Sequence, residues 1–358
     1  MVSISLCMIV KDEEKTIARC LDSINSVIDE IIIVDTGSTD KTKEIASNYT
    51  EKIYDFEWKD DFSVARNFSF SKSTKDYILW MDADEIINLE NKNKLIKLKE
   101  NLNSEIDCIS FQTYVSVDES NNPKCICRRN RLVKREKNFK WVGFIHEYIK
   151  VDGSICDSDV YIIHNKIKNN ENRNLDIYKS NIAKGNQFTD RDLYYYGKEL
   201  YCNKMWEECI KTLEEFIKRD PFIEEKVDAL CKIGRAYINK GQSCIGREYL
   251  YKTFEYDEPR GEIIFSIADS FEKERKYKQA IVWYEIILGL ELPNDCNQCV
   301  NVCCLRFTPH LNLCICYYEI NDIAKSYYHH LKCKDMNPLN ECVIKNDEFF
   351  KSIIKKVD

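Results

Sequence analysis

The stretch DYILWMDADE, residues 76–85, is apolar from Tyr77 to Met81 and then acidic at Asp82, Asp84 and Glu85. A short apolar run rich in aromatic and branched residues, ended by turn-forming acids, reads as a buried strand running into a loop. Three carboxylates this close repel one another and raise one another's pKa, so the run calls for a positive partner beyond the strand end. Alternate carboxylates on a tight turn can aim oxygens at one hard divalent cation, Mg2+ or Mn2+, with positions left open for phosphate oxygens. Such a cation can neutralise the charge that builds on a departing diphosphate.

The preceding residues alternate in the same style. Val2 to Val10 reads as a strand, Glu14 to Val27 as a helix with Ile17, Leu21 and Ile24 on one face, and Glu30 to Val34 as an apolar strand. Lys43 to Tyr49 is expected to be helical, Lys52 to Phe56 extended and Phe62 to Ser71 helical. Strands alternating with helices imply a mainly parallel sheet, in which ligands bind beyond the carboxyl ends of the strands. Asp35 and Asp82 both stand there. The GSTD run from Gly37 to Asp40 lacks the glycine pattern and lysine of a phosphate-binding loop, and reads as a turn with Ser38 or Thr39 capping a helix. From Cys108 to His164 the pattern turns to strands, at Cys108 to Tyr114, Lys124 to Cys127, Arg131 to Lys134, Gly143 to Val151 and Val160 to His164.

After about Asp190 the chain becomes helical and repeats itself. Small residues recur twelve apart as Gly197 and Cys209, Gly234 and Gly246, Ala268 and Ala280, and Cys314 and Ser326, most followed by a proline or an element end. Four helix pairs are expected, each closed through its small residues, as in tetratricopeptide repeats. The boundaries expected are 1–170 for the α/β domain, 171–190 for a linker helix region and 191–358 for the repeats.

The net charge of −7 comes from interspersed charges, which excludes a nucleic-acid or anionic-membrane surface as the organising feature. No apolar segment approaches the roughly 20 residues of a membrane span, and the lysine that follows the first apolar run is wrongly placed for a signal peptide. A cytoplasmic protein is expected. The 18 cysteines then read mostly as reduced, buried, small hydrophobes. Cys296, Cys299, Cys303 and Cys304 form a CxxCxxxCC run that either packs on a helix or grips zinc together with His310, and packing is favoured because no second separated CxxC exists.

Four ordered segments, CMIVKDEEKTIARCLDSI, DEIIIVDTGSTDKT, DDFSVARNFSFSKS and DYILWMDADE, together resemble the family 2 glycosyltransferases of GT-A fold over roughly the first 90 residues. The resemblance implies an α/β GT-A nucleotide-sugar-binding domain, here followed by an all-α tetratricopeptide-like domain, as in the sublancin-type peptide S-glycosyltransferase subgroup. It implies that Glu13 and Asp35 contact the nucleotide, although many relatives carry two aspartates where this chain has Asp35 and Thr36. Arg66 and Asn67 match a pair near the nucleotide-sugar. Asp84 is implied as the direct metal ligand, with Asp82 acting through ribose or metal-bound water. Glu85 either orients Asp84 or starts a turn. His164 is a candidate third ligand, since such enzymes bring a late histidine to the metal; a structural histidine is the alternative. Arg131, with Arg129, resembles an arginine-leucine step and is assigned to the diphosphate or the acceptor.

An inverting transfer needs a base to take the acceptor's proton. WVGFIHEYIKV, residues 141–151, supplies Glu147 and His146. Read as one strand, it sets His146 with Phe144 and Tyr148, and Glu147 between Ile145 and Ile149, where burial would raise its pKa; Glu147 is favoured. The expected activity is metal-dependent transfer of a hexose from a UDP-sugar to a polypeptide side chain, with a surface glycan or lipid-linked acceptor as the alternative. A homodimer through the repeats is a further expectation. Two other classes compete. A non-catalytic adaptor with a degenerate head is disfavoured by Asp35, Arg66, Asp82 and Asp84 all being present, and a sugar nucleotidyltransferase by the missing glycine- and lysine-rich loop.

Overall fold

The computed structural model describes residues 2–117, 123–164, 172–290 and 305–354. It divides into a first unit of Met1–Ile177 and a second that takes up the described residues from Tyr178 onward.

In the first unit β1 (Ile4–Val10), β2 (Glu30–Asp35), β3 (Ile53–Asp55) and β4 (Tyr77–Trp80) alternate with α1 (Ile17–Ile24), α2 (Thr42–Ala46) and α3 (Phe62–Ser71). A short β5 (Glu85–Ile86) and α4 (Leu89–Asn101) precede the long β6 (Cys108–Val117) and β7 (Pro123–Lys134). Then come β8 (Lys140–Val142), β9 (Tyr148–Lys150) and β10 (Ile155–His164). Eight strands form one mixed sheet in the order β3-β2-β1-β4-β7-β6-β10-β5, while β8 and β9 pair separately. β1 to β4 are mutually parallel where they pair, and β7 runs antiparallel to both β4 and β6. This is the α/β architecture expected.

The strands bury both faces, as parallel central strands must. Ile4, Leu6, Met8 and Val10 of β1 pack with Ile17, Cys20, Leu21 and Ile24 of α1, with Tyr77 and Leu79 of β4, and with Leu95 of α4. The alternate residues Cys7, Ile32, Val34, Ile78 and Trp80 pack on the other face with Phe70 of α3 and with Trp141 and Ile149 of the β8–β9 hairpin. Trp80 therefore sits on the face that α3 and the hairpin cover.

Two expected strands, Lys124 to Cys127 and Arg131 to Lys134, are one continuous β7, with irregular register against β6 near Ser110 and Tyr114. The single strand expected over Gly143 to Val151 is broken. Gly143 (φ +96°) and His146 (φ +50°) turn the backbone between β8 and β9, so the two-face assignment of His146 and Glu147 does not hold. The Ser38 or Thr39 cap of α2 is also corrected: the Ser38 hydroxyl takes the Asp12 N–H at 2.9 Å, and Asp40 accepts from Thr42 N at 2.9 Å.

The second unit is helical. α5 (Arg173–Ala183) leads to the pairs α6 (Asp190–Cys202) with α7 (Trp206–Ile217), α8 (Ile223–Asn239) with α9 (Ser243–Lys252), α10 (Gly261–Lys273) with α11 (Tyr277–Gly289) and α12 (Phe307–Glu319) with α13 (Ile323–Met336); α14 (Glu341–Ile354) follows. α8 closes on α9 at Gly234 and Gly246, and α12 on α13 where Ser326 Oγ donates to the Cys314 carbonyl at 2.6 Å, while Gly197 of α6 makes room for Leu213 of α7. A Cβ on Gly234 would stand 2.7 Å from the Gly246 carbonyl oxygen, so backbone meets backbone there. These are the tetratricopeptide-like repeats expected. The four cysteines of the CxxCxxxCC run lie outside the described residues. His310 pairs its Nδ1 with His329 Nδ1 at 2.8 Å. Among the described residues Cys7, Cys20, Cys108, Cys209 and Cys231 are free thiols in the core. No described helix is long and apolar enough to cross a membrane.

Candidate active site

The acidic run at the end of β4 is a closed turn. Glu85 N donates to the Asp82 carbonyl at 3.1 Å, and Asp82 N donates to Glu85 Oε2 at 2.9 Å. Glu85 is in turn held by Arg131, Nη1 to Oε2 at 2.8 Å and Nη2 to Oε1 at 2.6 Å, with Nη2 also 3.0 Å from Thr113 Oγ1. Both side chains are essentially sealed from solvent, at 0% and 1% exposure, and the guanidinium lies 3.8 Å from the Trp80 ring centroid. A buried pair with bidentate geometry is the arrangement that repays desolvation. The assignment of Arg131 to the diphosphate is therefore corrected: its guanidinium is committed to Glu85 and has no open face. Arg129, two residues earlier on β7, is the exposed one, within electrostatic reach of Glu85 and Asp82.

A second arginine of the site reaches the Asp82 side chain. Arg66 donates from Nη2 to Asp82 Oδ1 at 2.8 Å and from Nε to Glu147 Oε1 at 2.6 Å. Its guanidinium carbon lies 4.9 Å from the Trp80 ring centroid and 4.7 Å from that of Trp141, within cation–π range of both. Burial pushes the Asp82 carboxyl upward, but the charges of Arg66 and Arg131 outweigh it and hold Asp82 well below the usual carboxylate range. Burial likewise works against the charge on Arg66, and Asp82 and Glu147 more than restore it.

Arg66 reaches this place because α3 is fixed at its start and along its face. Asp61 caps the helix by accepting from Val64 N at 3.1 Å. Asn67 clamps β8 with both ends of its amide, Nδ2 to the Trp141 carbonyl and Oδ1 from Trp141 N, each at 2.9 Å. Both ends of the Asn67 amide are therefore taken up by the Trp141 backbone. Phe62 N donates to the Phe144 carbonyl at 2.8 Å, which ties the hairpin turn to the same helix. Glu147 leaves that turn beside a guanidinium rather than between isoleucine side chains, and the apolar environment expected for it is replaced by an ion pair. His146 makes the left-handed turn next to it.

Asp84 meets His164, Oδ2 to Nε2 at 3.0 Å, with the two side chains 23% and 27% exposed. His164 ends β10 and pairs with Glu85 in register, so strand pairing sets the imidazole over the acidic turn. The hydrogen bond to Asp84 raises the His164 pKa against the opposing effect of burial. Among the described residues no three or more metal-binding side chains gather as a ready-made cage. A carboxylate and an imidazole at a half-open rim nevertheless suit a divalent cation that takes its remaining ligands from phosphate and water, as Mg2+ and Mn2+ commonly do. The donor set fits.

At the end of β2, Asp35 Oδ1 accepts from Gly37 N at 2.9 Å and Ser38 N at 2.8 Å. Oδ2 is buried and has no partner among the described residues. A buried, unfilled carboxylate oxygen suits a ligand N–H or hydroxyl. Glu13 lies in the turn before α1, where its carboxylate accepts from Thr16 Oγ1 and its N–H donates to Thr42 Oγ1 at 2.6 Å.

Sequence reasoning missed the bracing of the acidic turn by Arg131 and the aromatic walls around Arg66. No motif announces the first, because Glu85 and Arg131 are brought together only by strand pairing.

A glycosyl transferase family 2 model matches residues 5–150. A tetratricopeptide-repeat-containing protein of Synechococcus elongatus is 48% identical over 90 residues, covering 25% of this chain and 22% of that protein. The SPbeta prophage-derived glycosyltransferase SunS of Bacillus subtilis is 28% identical over 229 residues, covering 60% of this chain and 53% of SunS. The chain thus spans about half or less of these curated relatives. Glucosyl-3-phosphoglycerate synthase from Mycobacterium tuberculosis, solved with Mn2+ and UDP-glucose, superposes with a TM-score of 0.36 at 14% identity, over 52% of this chain and 81% of that one. Residues 5–150, which the family 2 glycosyl transferase model matches, carry every side chain of the site described above except His164.

Proposed function

We propose that this chain is an inverting, metal-dependent glycosyltransferase that moves a hexose from a UDP-sugar to a polypeptide side chain. The carrying observation is that Asp84 and His164 meet at a half-open rim beside the paired Asp82 at the carboxyl end of β4. The unfilled Oδ2 of Asp35 at the end of β2 supports a nucleotide site, where it accepts a uracil N–H or a ribose hydroxyl. Asp84 and His164, with Asp82 beside them, would hold Mg2+ or Mn2+, which when bound supplies positive charge against the leaving diphosphate.

The remaining work falls to the chain's own side chains. Glu147 takes the proton of the acceptor nucleophile as that atom attacks the anomeric carbon. The bond from that carbon to the diphosphate oxygen breaks, and its electron pair leaves with UDP. The resemblance to the sublancin-type pattern, a transferase domain followed by helical repeats, favours a polypeptide acceptor, with the repeats as the surface on which it, or a second copy of the chain, docks.

Incubation with a panel of UDP- and GDP-sugars and Mn2+, with and without chelator, tests the reading through nucleotide release. Release from a UDP-sugar that chelator abolishes is expected, and Asp84→Ala should lower it about 100-fold or more. No release and no calorimetric nucleotide binding would remove the enzymatic reading, whereas release that Asp84→Ala leaves intact would remove the metal assignment alone.

A further inference from the structure

Three arginines border the acidic turn, and the structure uses them differently. Arg131 is consumed by Glu85 and Arg129 is exposed on β7. Arg66 is neither closed nor open. It is 8% exposed, yet it divides its nitrogens between carboxylates from two separate segments: Asp82 of the β4 turn and Glu147 of the β8–β9 turn. Trp80 and Trp141 stand within cation–π range of its guanidinium. Placed so, Arg66 is poorly disposed to approach a diphosphate and well disposed to fix the angle between the two carboxylates.

We propose that Arg66 is a positioning residue that holds Glu147 Oε1, so that Glu147 presents its other oxygen to the acceptor in register with the donor-side Asp82. The inference rests on the glycosyltransferase reading and assigns it one internal device. Glu147, Arg66 and Asp82 form an acid–base–acid array in which the middle member touches no substrate, much as a base in other enzymes is aimed by a third group. The planar fork matters here. Nε and Nη2 of one guanidinium point to different carboxylates, a geometry that the single nitrogen of lysine cannot reproduce. The support is local: α3 carries Arg66, and the next residue, Asn67, clamps the strand that leads to Glu147.

The test is a double-variant cycle on UDP release from a UDP-sugar in Mn2+, with water as acceptor, using the full chain. Arg66→Lys and Glu147→Gln should each lower kcat about 100-fold, the range of a lost proton acceptor. The double variant should fall within about threefold of the weaker single, because groups that act as a unit are not additive. Donor KM should stay within about threefold throughout. Glu147→Asp keeps the charge but withdraws it from Arg66, and should lower kcat about tenfold while the chain still melts cooperatively, so the proposal does not hang on whether Arg66→Lys folds. Losses that multiply in the double variant would overturn it, as would full kcat in Glu147→Asp. A raised donor KM with kcat retained in Arg66→Lys would overturn it too, by putting Arg66 on the diphosphate. If the wild-type chain releases no nucleotide, it is the underlying glycosyltransferase reading that fails.

Discussion

Strand β2 carries a carboxylate at each end, and the two are treated in opposite ways. Glu30, at the start, accepts from the Ser5 hydroxyl, from Thr74 N and Oγ1 at 2.8 Å each, and from Lys52 Nζ. Asp35, five residues later, has one oxygen satisfied by Gly37 and Ser38 and the other buried with no donor among the described residues. The same division runs along the sheet. Near the amino ends, Asp29 accepts from Ile4 N at 2.8 Å and meets Lys99 at 2.6 Å, and Asp76 takes both the N–H and the hydroxyl of Ser3. Beyond the carboxyl ends stand Asp35, Asp82 and Asp84, each with part of its capacity left for something else. An acceptor filled by the chain stabilises the fold, while one left unfilled at a strand end is a cost that a ligand can remove.

Glu85 limits that generalisation, since it lies at the ligand end and is nevertheless filled. Arg131→Met should therefore have the largest effect on stability. It strands a buried carboxylate, for which about 3–5 kcal/mol is expected, and thermal melting followed by circular dichroism should show a fall of roughly 10 °C in the first transition. Adding Glu85→Gln to Arg131→Met should recover part of the loss, because the stranded charge is then gone. A melting curve unchanged by Arg131→Met would mean that Glu85 can reach water and that the brace is superficial.

Asp35→Asn should do the reverse, sparing the fold and weakening the ligand. The amide oxygen can still accept from Gly37 and Ser38, but the unfilled acceptor becomes an N–H donor facing a ligand donor. Losing a hydrogen bond to a charged group costs about 1.5–3 kcal/mol, or roughly 10- to 100-fold in affinity for UDP by calorimetry. Melting within about 2 °C of wild type is expected alongside. A variant that melts early and binds UDP normally would place Asp35 with Glu30 among the structural carboxylates.

Much of this contrast is legible in the chain itself, and the limits have physical causes. α3 occupies the residues that its pattern predicts, Phe62 to Ser71, and the four helix pairs follow from small residues twelve apart, because close helix contact tolerates few other side chains. Asp35 and Asp82 could be placed at strand ends from the apolar runs before them. What the pattern hides is pairing across distance. Glu85 meets Arg131 only through the register that sets Leu79 beside Leu132, and Glu147 meets Arg66 only because two positive-φ residues, Gly143 and His146, break what reads as one strand. Both corrections concern who neutralises whom, which alternating hydrophobicity does not encode.

The smallest effect expected belongs to the filled end of β2, and it appears only in acid. The partners of Glu30 lower its pKa, against the opposing effect of burial, from 4.5 to about 2. A carboxylate whose folded pKa lies below its unfolded value contributes its full stability above about pH 4.5 and loses it as the pH falls towards 2. The charge partner, Lys52, is 45% exposed, so solvent screening trims the contribution to about 2 kcal/mol or less. Denaturant midpoints measured from pH 6 down to pH 2 should fall across that window in the wild type and fall less in Glu30→Gln, which keeps an acceptor for Thr74 and cannot be protonated. If the two curves stay parallel, the hydrogen bonds of Glu30 are as strong to the acid as to the carboxylate, and the filled end of the strand is not an electrostatic anchor.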